Sequence, residues 1–414
     1  MTKEKSTVPR LRFPGFTDAW KQRKLGEVAE KISQKNLDRQ YVETFTNSAE
    51  FGIISQRDFF EKNISSLDNI SGYYIVSPDD FVYNPRISNL APVGPIKRNK
   101  LGRVGVMSPL YTIFRFSDIH LDFVEKYFDT TIWHRYMELN GDSGARSDRF
   151  AIKDSVFKGL PIPLPTLPEQ EAIGSFFSDL DQLITLHQRK LDEVKELKKA
   201  LLQKMFPKGN GNDFPELRFP GFTDAWKQRK LGEVSKRVTR RNKELISSLP
   251  LTISAQHGLV DQEEFFNKQV ASKDVSSYYL IKKGEFAYNK SYSNGYPWGA
   301  IKRLDRYEMG VLSTLYIVFK PTSLICSDYL VSYYDTVNWY KEVSMIAAEG
   351  ARNHGLLNIA PNDFFKTRLF IPTLPEQEAI GSFFSDLDQL ITLHQRQLDH
   401  LKLLKKALLQ QMFI

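Results

Sequence analysis

Two long stretches of the chain each occur twice without a change. Residues 165–189 read PTLPEQEAIGSFFSDLDQLITLHQR, and residues 372–396 repeat this segment letter for letter. A second duplicate, LRFPGFTDAWKQRKLGEV, covers residues 11–28 and returns at residues 217–234. Because the repeat period is about half of the 414 residues, the sequence predicts one duplicated unit and not a solenoid of many short repeats.

Each unit consists of a shared head, a divergent middle and a shared tail. We divide the chain into a first head (1–28), a first middle domain (29–164), a helix with its linker (165–210), a second head (211–234), a second middle domain (235–371) and a C-terminal helix (372–414). The middles keep common landmarks, such as Ile96-Lys97-Arg98 and Ile301-Lys302-Arg303. We therefore expect the two middles to share a fold while their surfaces differ.

The middles have a mixed pattern. In the first one, short β-rich runs at residues 73–76, 81–83 and 111–116 are separated by Gly, Pro and Asn, and an amphipathic stretch follows at residues 122–139. This order predicts an α+β domain of ordinary size.

The heads cluster aromatic residues around a turn. Phe13, Phe16 and Trp20 surround Pro14-Gly15. One interpretation is a short docking segment that covers the edge of a neighbouring domain. The other is a landing surface for a partner chain, which the identical second copy also suits.

The shared tails are predicted to form long helices. Thr166 to Glu169 has the spacing of a capping box, with Pro168 in the first turn. Apolar residues then recur at alternating intervals of four and three, which is typical of a coiled coil. We predict a helix over residues 169–206 and an equivalent helix that runs to the C-terminus. The predicted seam consists of Ile173, Phe177, Leu180, Ile184, Leu191, Val194, Leu201, Ile380, Phe384, Leu387, Ile391, Leu398, Leu401 and Leu408.

A single amphipathic helix of this length needs a partner, because most helix stability in proteins comes from packing of the apolar face. We expect the two tails to pair as an antiparallel coiled coil, which gives the chain an internal pseudo-twofold repeat. His187, His394, Lys198 and Lys405 interrupt the seam, and we predict that they set its register. The predicted fold class is α+β, with two similar globular domains joined by these two helices.

The overall charge favours an anionic partner. The chain carries 57 Lys and Arg against 49 Asp and Glu, a net charge of +8, as suits nucleic acid or a membrane surface. The one cysteine, Cys326, excludes an intrachain disulfide. No apolar run approaches the roughly 18 residues of a membrane helix, and the first residues lack a signal-peptide core. We expect a cytoplasmic protein that does not use a membrane.

Catalytic motifs do not stand out in the sequence. Phosphate-cradling loops, HExxH and paired CxxC motifs are absent, and we predict no metal site. Asn84-Pro85-Arg86-Ile87 faintly resembles the Asn-Pro-Pro-Tyr/Phe loop of adenine methyltransferases, but the second proline and the aromatic residue are missing. The sequence therefore predicts no catalytic residue on this chain.

Two stretches combine basic and amide side chains and lack acidic ones. They cover residues 81–117 and 286–304. Lys and Arg neutralise phosphates, and Asn and Arg can form bidentate contacts with base edges. We therefore predict DNA contacts here, with Lys97 and Arg303 on phosphates. The candidates are Tyr83, Asn84, Arg86, Lys97, Arg98, Lys100, Arg103, Tyr288, Asn289, Lys290, Tyr292, Asn294, Lys302 and Arg303, together with a weaker second loop of Arg146 and Arg149 in the first middle and Arg352, Asn353 and His354 in the second.

The duplication suits a target that is read in two separated pieces. Twofold proteins read half-sites about one helical turn apart on duplex DNA, and unlike middles would let the two pieces differ. Identical heads and tails present one surface twice, which suits two copies of a partner protein.

This layout resembles the specificity subunit of type I restriction-modification systems. The resemblance lies in Leu164-Pro165-Thr166-Leu167-Pro168-Glu169-Gln170 before a long helix and in the Phe-Pro-Gly-Phe…Trp…Leu-Gly-Glu-Val heads. It implies that the middles are target recognition domains, each reading one half of a split double-stranded DNA sequence across a fixed spacer. It also implies that the helices dock two modification subunits, which bind S-adenosylmethionine and methylate adenine N6. Restriction subunits, with ATP and Mg, would complete the endonuclease, and this chain itself would hold no cofactor.

An alternative is a protein-binding scaffold without sequence-specific DNA binding. In that case the coiled coil recruits partners and the middles bind peptides or proteins. A third possibility, a stand-alone methyltransferase or nuclease, requires catalysis by this chain alone.

Overall fold

The computed structural model describes residues 7–60, 69–142, 148–208, 214–254, 257–292, 295–347 and 357–414. The chain folds into two compact units. Unit 1 contains Met1–Gln188 and Arg396–Ile414, and unit 2 contains Arg189–Gln395.

The elements follow the same order in both halves of the chain. The first half contains β1 (Lys21–Lys24), α1 (Leu25–Val28), β2 (Ala29–Ile32), β3 (Phe45–Ser48), β4 (Gly52–Ser55), α2 (Gln56–Phe60), a 3-10 turn (Ile70–Gly72), β5 (Tyr74–Val76), β6 (Phe81–Tyr83), β7 (Ile96–Arg98), β8 (Gly105–Met107), β9 (Thr112–Phe116), α3 (Leu121–Phe128), α4 (His134–Asn140), α5 (Asp154–Phe157), β10 (Pro161–Leu164) and α6 (Leu167–Lys204).

The second half repeats this order without the 3-10 turn. It contains β11 (Lys227–Lys230), α7 (Leu231–Val234), β12 (Ser235–Arg237), β13 (Leu251–Ser254), β14 (Gly258–Asp261), α8 (Gln262–Phe266), β15 (Tyr279–Lys282), β16 (Phe286–Asn289), β17 (Ala300–Arg303), β18 (Met309–Leu312), β19 (Ile317–Pro321), α9 (Ser327–Asp335), α10 (Tyr340–Ile346), α11 (Pro361–Phe364), β20 (Arg368–Ile371) and α12 (Leu374–Met412).

Each unit is built around a four-stranded antiparallel sheet. Its strand order is β2-β9-β6-β7 in unit 1 and β12-β19-β16-β17 in unit 2. Three antiparallel strand pairs accompany each sheet: β1-β10, β3-β4 and β5-β8 in unit 1, and β11-β20, β13-β14 and β15-β18 in unit 2. The α+β architecture predicted for the middles is thereby confirmed.

The central sheet of each unit is buried on both faces, because successive side chains of a strand point to opposite sides. Phe81 and Tyr83 lie in the core that also contains the helices. Val82, between them, lies in a second core with residues of the smaller strand pairs. In unit 2, Tyr288 and Ala287 divide between two cores in the same way.

The amphipathic stretch at residues 122–139 forms two helices instead of one. Helix α3 ends at Phe128, and the Thr130 hydroxyl donates to the carbonyl of Tyr127 at 2.7 Å. Trp133, 1% exposed, then fills the core at the start of α4. The capping hydroxyl and the buried indole together explain the break.

The helix segments run antiparallel within each unit. In unit 1 the rings of Phe177 and Phe413 lie 6.2 Å apart, and Lys405 Nζ lies 2.6 Å from Asp181 Oδ1. From the first contact to the second, the residue number increases on α6 and decreases on α12, as antiparallel packing requires. The residues predicted for the seam are all buried or half-buried.

Unit 2 repeats this packing with the roles of the helices exchanged. The rings of Phe206 and Phe384 lie 6.1 Å apart, and Lys198 Nζ lies 2.6 Å from Asp388 Oδ1. The antiparallel pairing and the internal repeat are therefore confirmed within each unit. The lysines that interrupt the apolar seam reach carboxylates on the facing helix.

The heads pack on the N-terminal turns of the long helices. Arg12 donates from Nε and Nη2 to both oxygens of the fully buried Glu169 carboxylate at 2.6 Å, and Trp20 Nε1 donates to the same carboxylate at 3.4 Å. Arg218 holds Glu376 in the same way, at 2.6 and 2.7 Å. The carboxylate that was predicted to close a capping box instead anchors the head, which favours the docking interpretation of the heads.

Candidate nucleic-acid interface

A loop of equal length leaves the central sheet of each unit. Loop L1 covers residues 84–94 and loop L2 covers residues 289–299, of which 293–294 lie outside the described residues. In L1 the hydroxyl of Tyr83 donates to the carbonyl of Val93 at 2.9 Å and closes the loop at its base. Tyr288 makes the equivalent bond to the carbonyl of Trp298 at 2.8 Å.

An asparagine and a glycine complete each loop base. Asn84 Oδ1 accepts from the backbone N–H of Arg86 at 3.0 Å, and Asn289 Oδ1 accepts from that of Ser291 at 3.0 Å. Gly94 has φ 83°, and a Cβ there would lie 2.1 Å from the carbonyl oxygen of Asn84. Only glycine fits such a position, so the two loops share one rigid frame.

Four of the residues predicted as DNA contacts belong to this frame. Tyr83 is 3% exposed and Tyr288 is fully buried, and burial raises the pKa of both phenols. Asn84 also donates from Nδ2 to the carbonyl of Asn47 at 2.8 Å. These side chains and that of Asn289 stabilise the loops. The neighbouring loop side chains are therefore the ones available to contact a ligand.

The side chains carried by the frame differ between the units. In L1, Arg86 is exposed, and the structure shows no ion pair for it among the described residues. In L2, Lys290 is half-buried, with Nζ 3.4 Å from the carbonyl of Ile359, and Tyr292 is 58% exposed. Burial lowers the pKa of Lys290.

In the first middle, the described part of the second candidate loop lies beside L1. Arg86 and Arg149 form an antiparallel bridge, supported by the N–H of Phe150, which donates to the carbonyl of Pro85 at 2.7 Å. In unit 2 the N–H of Leu357 donates to the carbonyl of Lys290 at 2.9 Å. Sequence reasoning placed Arg86 and Arg149 in separate candidate segments, and the structure brings these two residues together. The predicted contacts Arg146, Asn294, Arg352, Asn353 and His354 lie outside the described residues.

Most of the other predicted cations are neutralised within their own domain. The stretch 81–117 lacks acidic residues, but the fold supplies them from elsewhere in the chain. The pairs are Lys97–Asp129, Arg98–Asp79, Arg98–Asp122, Lys100–Glu125, Arg103–Glu43, Lys302–Asp335, Arg303–Asp305 and Arg303–Asp328. Six of the predicted cations thus have carboxylate partners within the protein, and their contact with DNA stays a prediction.

A half-buried charge cluster lies beside the central sheet of unit 1, with Lys126 as its buried member. Lys97 Nζ on β7 lies 2.9 Å from Asp129 Oδ1, and Lys126 Nζ lies 3.4 Å from Asp129 Oδ2 and 2.5 Å from Asp181 Oδ2. Lys405 joins at 2.6 Å from Asp181 Oδ1. Burial alone would raise the pKa of Asp129, but the three lysines outweigh it and lower this pKa to about 2. We call this group the Asp129 cluster.

Unit 2 has a smaller version, the Asp335 cluster. Lys302 Nζ lies 2.7 Å from Asp335 Oδ1, while Lys198 Nζ lies 2.8 Å from Asp335 Oδ2 and 2.6 Å from Asp388 Oδ1. Burial opposes ionisation of Asp335, and the two lysines nevertheless lower its pKa. Ser332 stands where unit 1 has Lys126.

Sequence reasoning missed Asp129 and Asp335 as functional candidates. A usable signal was present, because both follow a Tyr-Phe or Tyr-Tyr pair at equivalent positions of the divergent middles. Within the described ranges, no group of three His, Cys, Asp or Glu side chains is placed to hold a metal ion. Nor do those ranges contain a helix with both the length and the apolar content of a membrane span.

Comparison with known proteins gives the class to which this arrangement belongs. Residues 17–196 match the family model described as type I restriction modification DNA specificity domain. The type I restriction enzyme MjaVIII specificity subunit of Methanocaldococcus jannaschii is 31% identical over 85 residues, which cover 20% of each chain. The putative MjaX specificity subunit of the same organism is 37% identical over 59 residues, or 14% of each chain. The alignments thus span a fifth or less of these curated relatives.

The fold is also that of a solved relative. The crystal structure of the type I restriction-modification system S subunit from M. genitalium superposes with a TM-score of 0.59 at 13% identity, and covers 98% of this chain and 99% of that one. The chain is therefore similar to type I restriction-modification specificity subunits in the sequence of residues 17–196 and shares its fold with one of them.

Proposed function

We propose that this chain recognises a split double-stranded DNA sequence, with one middle domain for each half-site. The observation that supports it most directly is the pair of loops L1 and L2. Both have the same length and the same tyrosine, asparagine and glycine frame, yet Pro85, Arg86 and Ile87 in one stand where the other has Lys290, Ser291 and Tyr292. A rigid frame with exchangeable side chains is what two readers of different sequences require.

Within unit 1, we propose that Arg86 and Arg149 make the principal contacts. Both guanidinium groups are exposed and have no ion pair among the described residues, and such a group can pair with phosphate or with the edge of guanine. In unit 2, Tyr292 offers an aromatic face and a hydroxyl, while Lys290 supplies a cation. The neutralised lysines and arginines of the sheet edges support these loops.

We further propose that the helices dock two modification subunits. Each unit exposes an equivalent set of leucines on its helix segments: Leu183, Leu186 and Leu404 in unit 1, and Leu390, Leu393 and Leu197 in unit 2. Exposed apolar side chains on a helix favour a protein partner, and the recurrence of these leucines at equivalent positions suits two copies of one partner.

Catalysis would then reside on the partners of a complex that methylates adenine N6 and, with restriction subunits, cleaves DNA in an ATP-dependent reaction. We propose that S-adenosylmethionine, ATP and Mg bind those subunits and that this chain supplies specificity alone.

The test is a map of modified adenines in cells with and without this chain, read for pairs of half-sites. We expect one split sequence with a single spacer length to lose its modification when the chain is absent. Duplexes with the spacer changed by one base pair should bind the complex of this chain with its modification subunit more weakly. Equal binding at all spacer lengths would contradict the split-site proposal, and a stable complex without DNA affinity at modest salt would favour the scaffold alternative.

A further inference from the structure

The Asp129 and Asp335 clusters each join a recognition domain to the helix segments of the same unit. Lys97 lies on the edge strand β7 of the sheet, and Asp129 follows α3. Asp181 and Lys405 belong to α6 and α12. The Asp129 cluster therefore ties sheet, domain helix and both long helices together within unit 1.

Apolar packing by itself does not set the angle of this junction. Hydrophobic contact is non-directional, and the surrounding core is made largely of phenylalanine and leucine. Short charge-assisted bonds have strict geometry. The Lys97–Asp129 bond at 2.9 Å holds the sheet edge to the end of α3, and the Lys126–Asp181 bond at 2.5 Å holds α3 to α6. Together they favour one orientation of the sheet edge against the helices.

We infer that Lys97 and Lys302 are positioning residues for spacer selection and do not act by touching DNA. The inference rests on the proposed split-site function. One base pair corresponds to about 3.4 Å along the duplex, so a reader that discriminates spacers by single base pairs must be held more rigidly than that. A junction that loses its directional bonds can still recognise its half-site, but it tolerates a shifted position.

This role reverses the expectation for Lys97 drawn from the sequence. A residue that contacts phosphate strengthens binding equally at every spacer length. A residue that holds the junction rigid instead strengthens binding at the native spacer relative to other spacer lengths. Lys97 Nζ already lies 2.9 Å from Asp129, and Lys302 Nζ lies 2.7 Å from Asp335.

The experiment uses cells in which Lys97→Met or Lys302→Met replaces the wild-type chain, with modified adenines mapped genome-wide. For each variant we expect the preference for the native spacer over spacers one base pair shorter or longer to fall by on the order of tenfold, a typical size for coupling between two sites. Both half-sites should stay the same. Lys97→Arg, which keeps the cation, should restore most of the preference.

Arg86→Ala is the matched control, because it removes an exposed loop cation. It should lower modification at all spacer lengths alike. The same uniform loss for Lys97→Met would overturn the positioning role and leave the proposed function intact. Wild-type cells that show no split sequence at all would instead contradict the proposed function.

A charge-balanced variant distinguishes loss of folding from loss of the positioning role. If Lys97→Met does not accumulate, Lys97→Met with Asp129→Asn removes one charge of each sign and leaves Lys126 and Lys405 paired with Asp181. This double variant should show the same relaxed spacer preference. An unchanged preference in an accumulating double variant would overturn the inference.

Discussion

The two middle domains are similar where they hold themselves together and different where they are exposed. The tyrosine, asparagine and glycine that close loop L1 recur in loop L2 with bonds of nearly equal length. Other loop positions, such as Arg86, and the lysine at position 126 of the Asp129 cluster are occupied by different residues in the other unit. This difference separates frame from reader: changes in the shared frame should affect both units alike, and changes in the exposed side chains should affect one half-site only.

The shared head anchor should show the largest effect on stability. Arg12→Met leaves the fully buried Glu169 carboxylate without its cation, and Arg218→Met does the same to Glu376. Each variant should lower the free energy of unfolding by about 3–5 kcal/mol, and the two losses should be similar. Urea unfolding followed by tryptophan fluorescence measures this.

The control for the head anchor is an exposed pair in the same segment. Arg23 pairs with Glu27 while both side chains are about half exposed, at 51% and 44%, so Arg23→Met should cost no more than about 1 kcal/mol. A cost for Arg12→Met as small as that of Arg23→Met would refute the anchor role.

Lys126 distinguishes the two charge clusters. Its side chain is 3% exposed and lies between Asp129 and Asp181, and these carboxylates, with Glu125, raise its pKa despite burial. Lys126→Met should destabilise unit 1 by about 2–3 kcal/mol, because it removes the most deeply buried cation from between two half-buried carboxylates.

The equivalent position in unit 2 provides the comparison. Ser332 donates to the carbonyl of Asp328 at 3.0 Å, and Ser332→Ala should cost about 1 kcal/mol or less in the same unfolding experiment. Similar losses at the two positions would contradict the view that unit 1 depends on an additional cation.

Acid should weaken the Asp129 cluster. The pKa of Asp129 is about 2, against an ordinary value of 3.8, so its ionised form is favoured by folding. This contribution of about 2 kcal/mol is fully present above the ordinary pKa and is lost as the pH falls through 3.8 towards 2. The difference in unfolding free energy between the wild type and Asp129→Asn should therefore shrink as the pH falls over that range. A difference that grows instead would contradict a lowered pKa for Asp129.

Arg86 should affect binding and leave stability unchanged. Arg86→Ser introduces the residue that L2 has at this position. Because Arg86 is exposed and has no ion pair within the described part of the chain, the unfolding free energy should change by less than about 0.5 kcal/mol. Loss of one phosphate contact should flatten the dependence of log affinity on log salt by about one. DNA titration at several salt concentrations tests this, with Ser291→Ala as the control. If the slope for Arg86→Ser equals that of the wild type, Arg86 does not contact a phosphate.

Much of the frame could be predicted from periodicity and repetition. The alternation of four and three residues predicted the long helices and their seam, and the exact repeat predicted equivalent pairing in both units. The break between α3 and α4 was missed because it depends on how Trp133 packs and on the Thr130 hydroxyl. Helical periodicity reports neither feature.

The charged residues could not be placed by local sequence. Residues 81–117 contain no acid, yet Asp122 and Glu125 on α3 reach Arg98 on the neighbouring strand β7. Such pairs form only when the sheet and helix pack. The meeting of Arg86 with Arg149 likewise depends on a strand bridge between segments that are far apart in the chain. Long-range pairing of this kind is set by topology, which composition does not reveal.

The central claim is that each middle reads its own half of a split sequence, and a loop exchange tests it most directly. The variant Pro85→Lys, Arg86→Ser, Ile87→Tyr gives L1 the first three divergent side chains of L2 on an unchanged frame. Genome-wide mapping of modified adenines should then show one half-site altered, with the other half-site and the spacer length retained. If both half-sites change, or if neither does while modification continues, one domain does not read one half-site and the account is wrong.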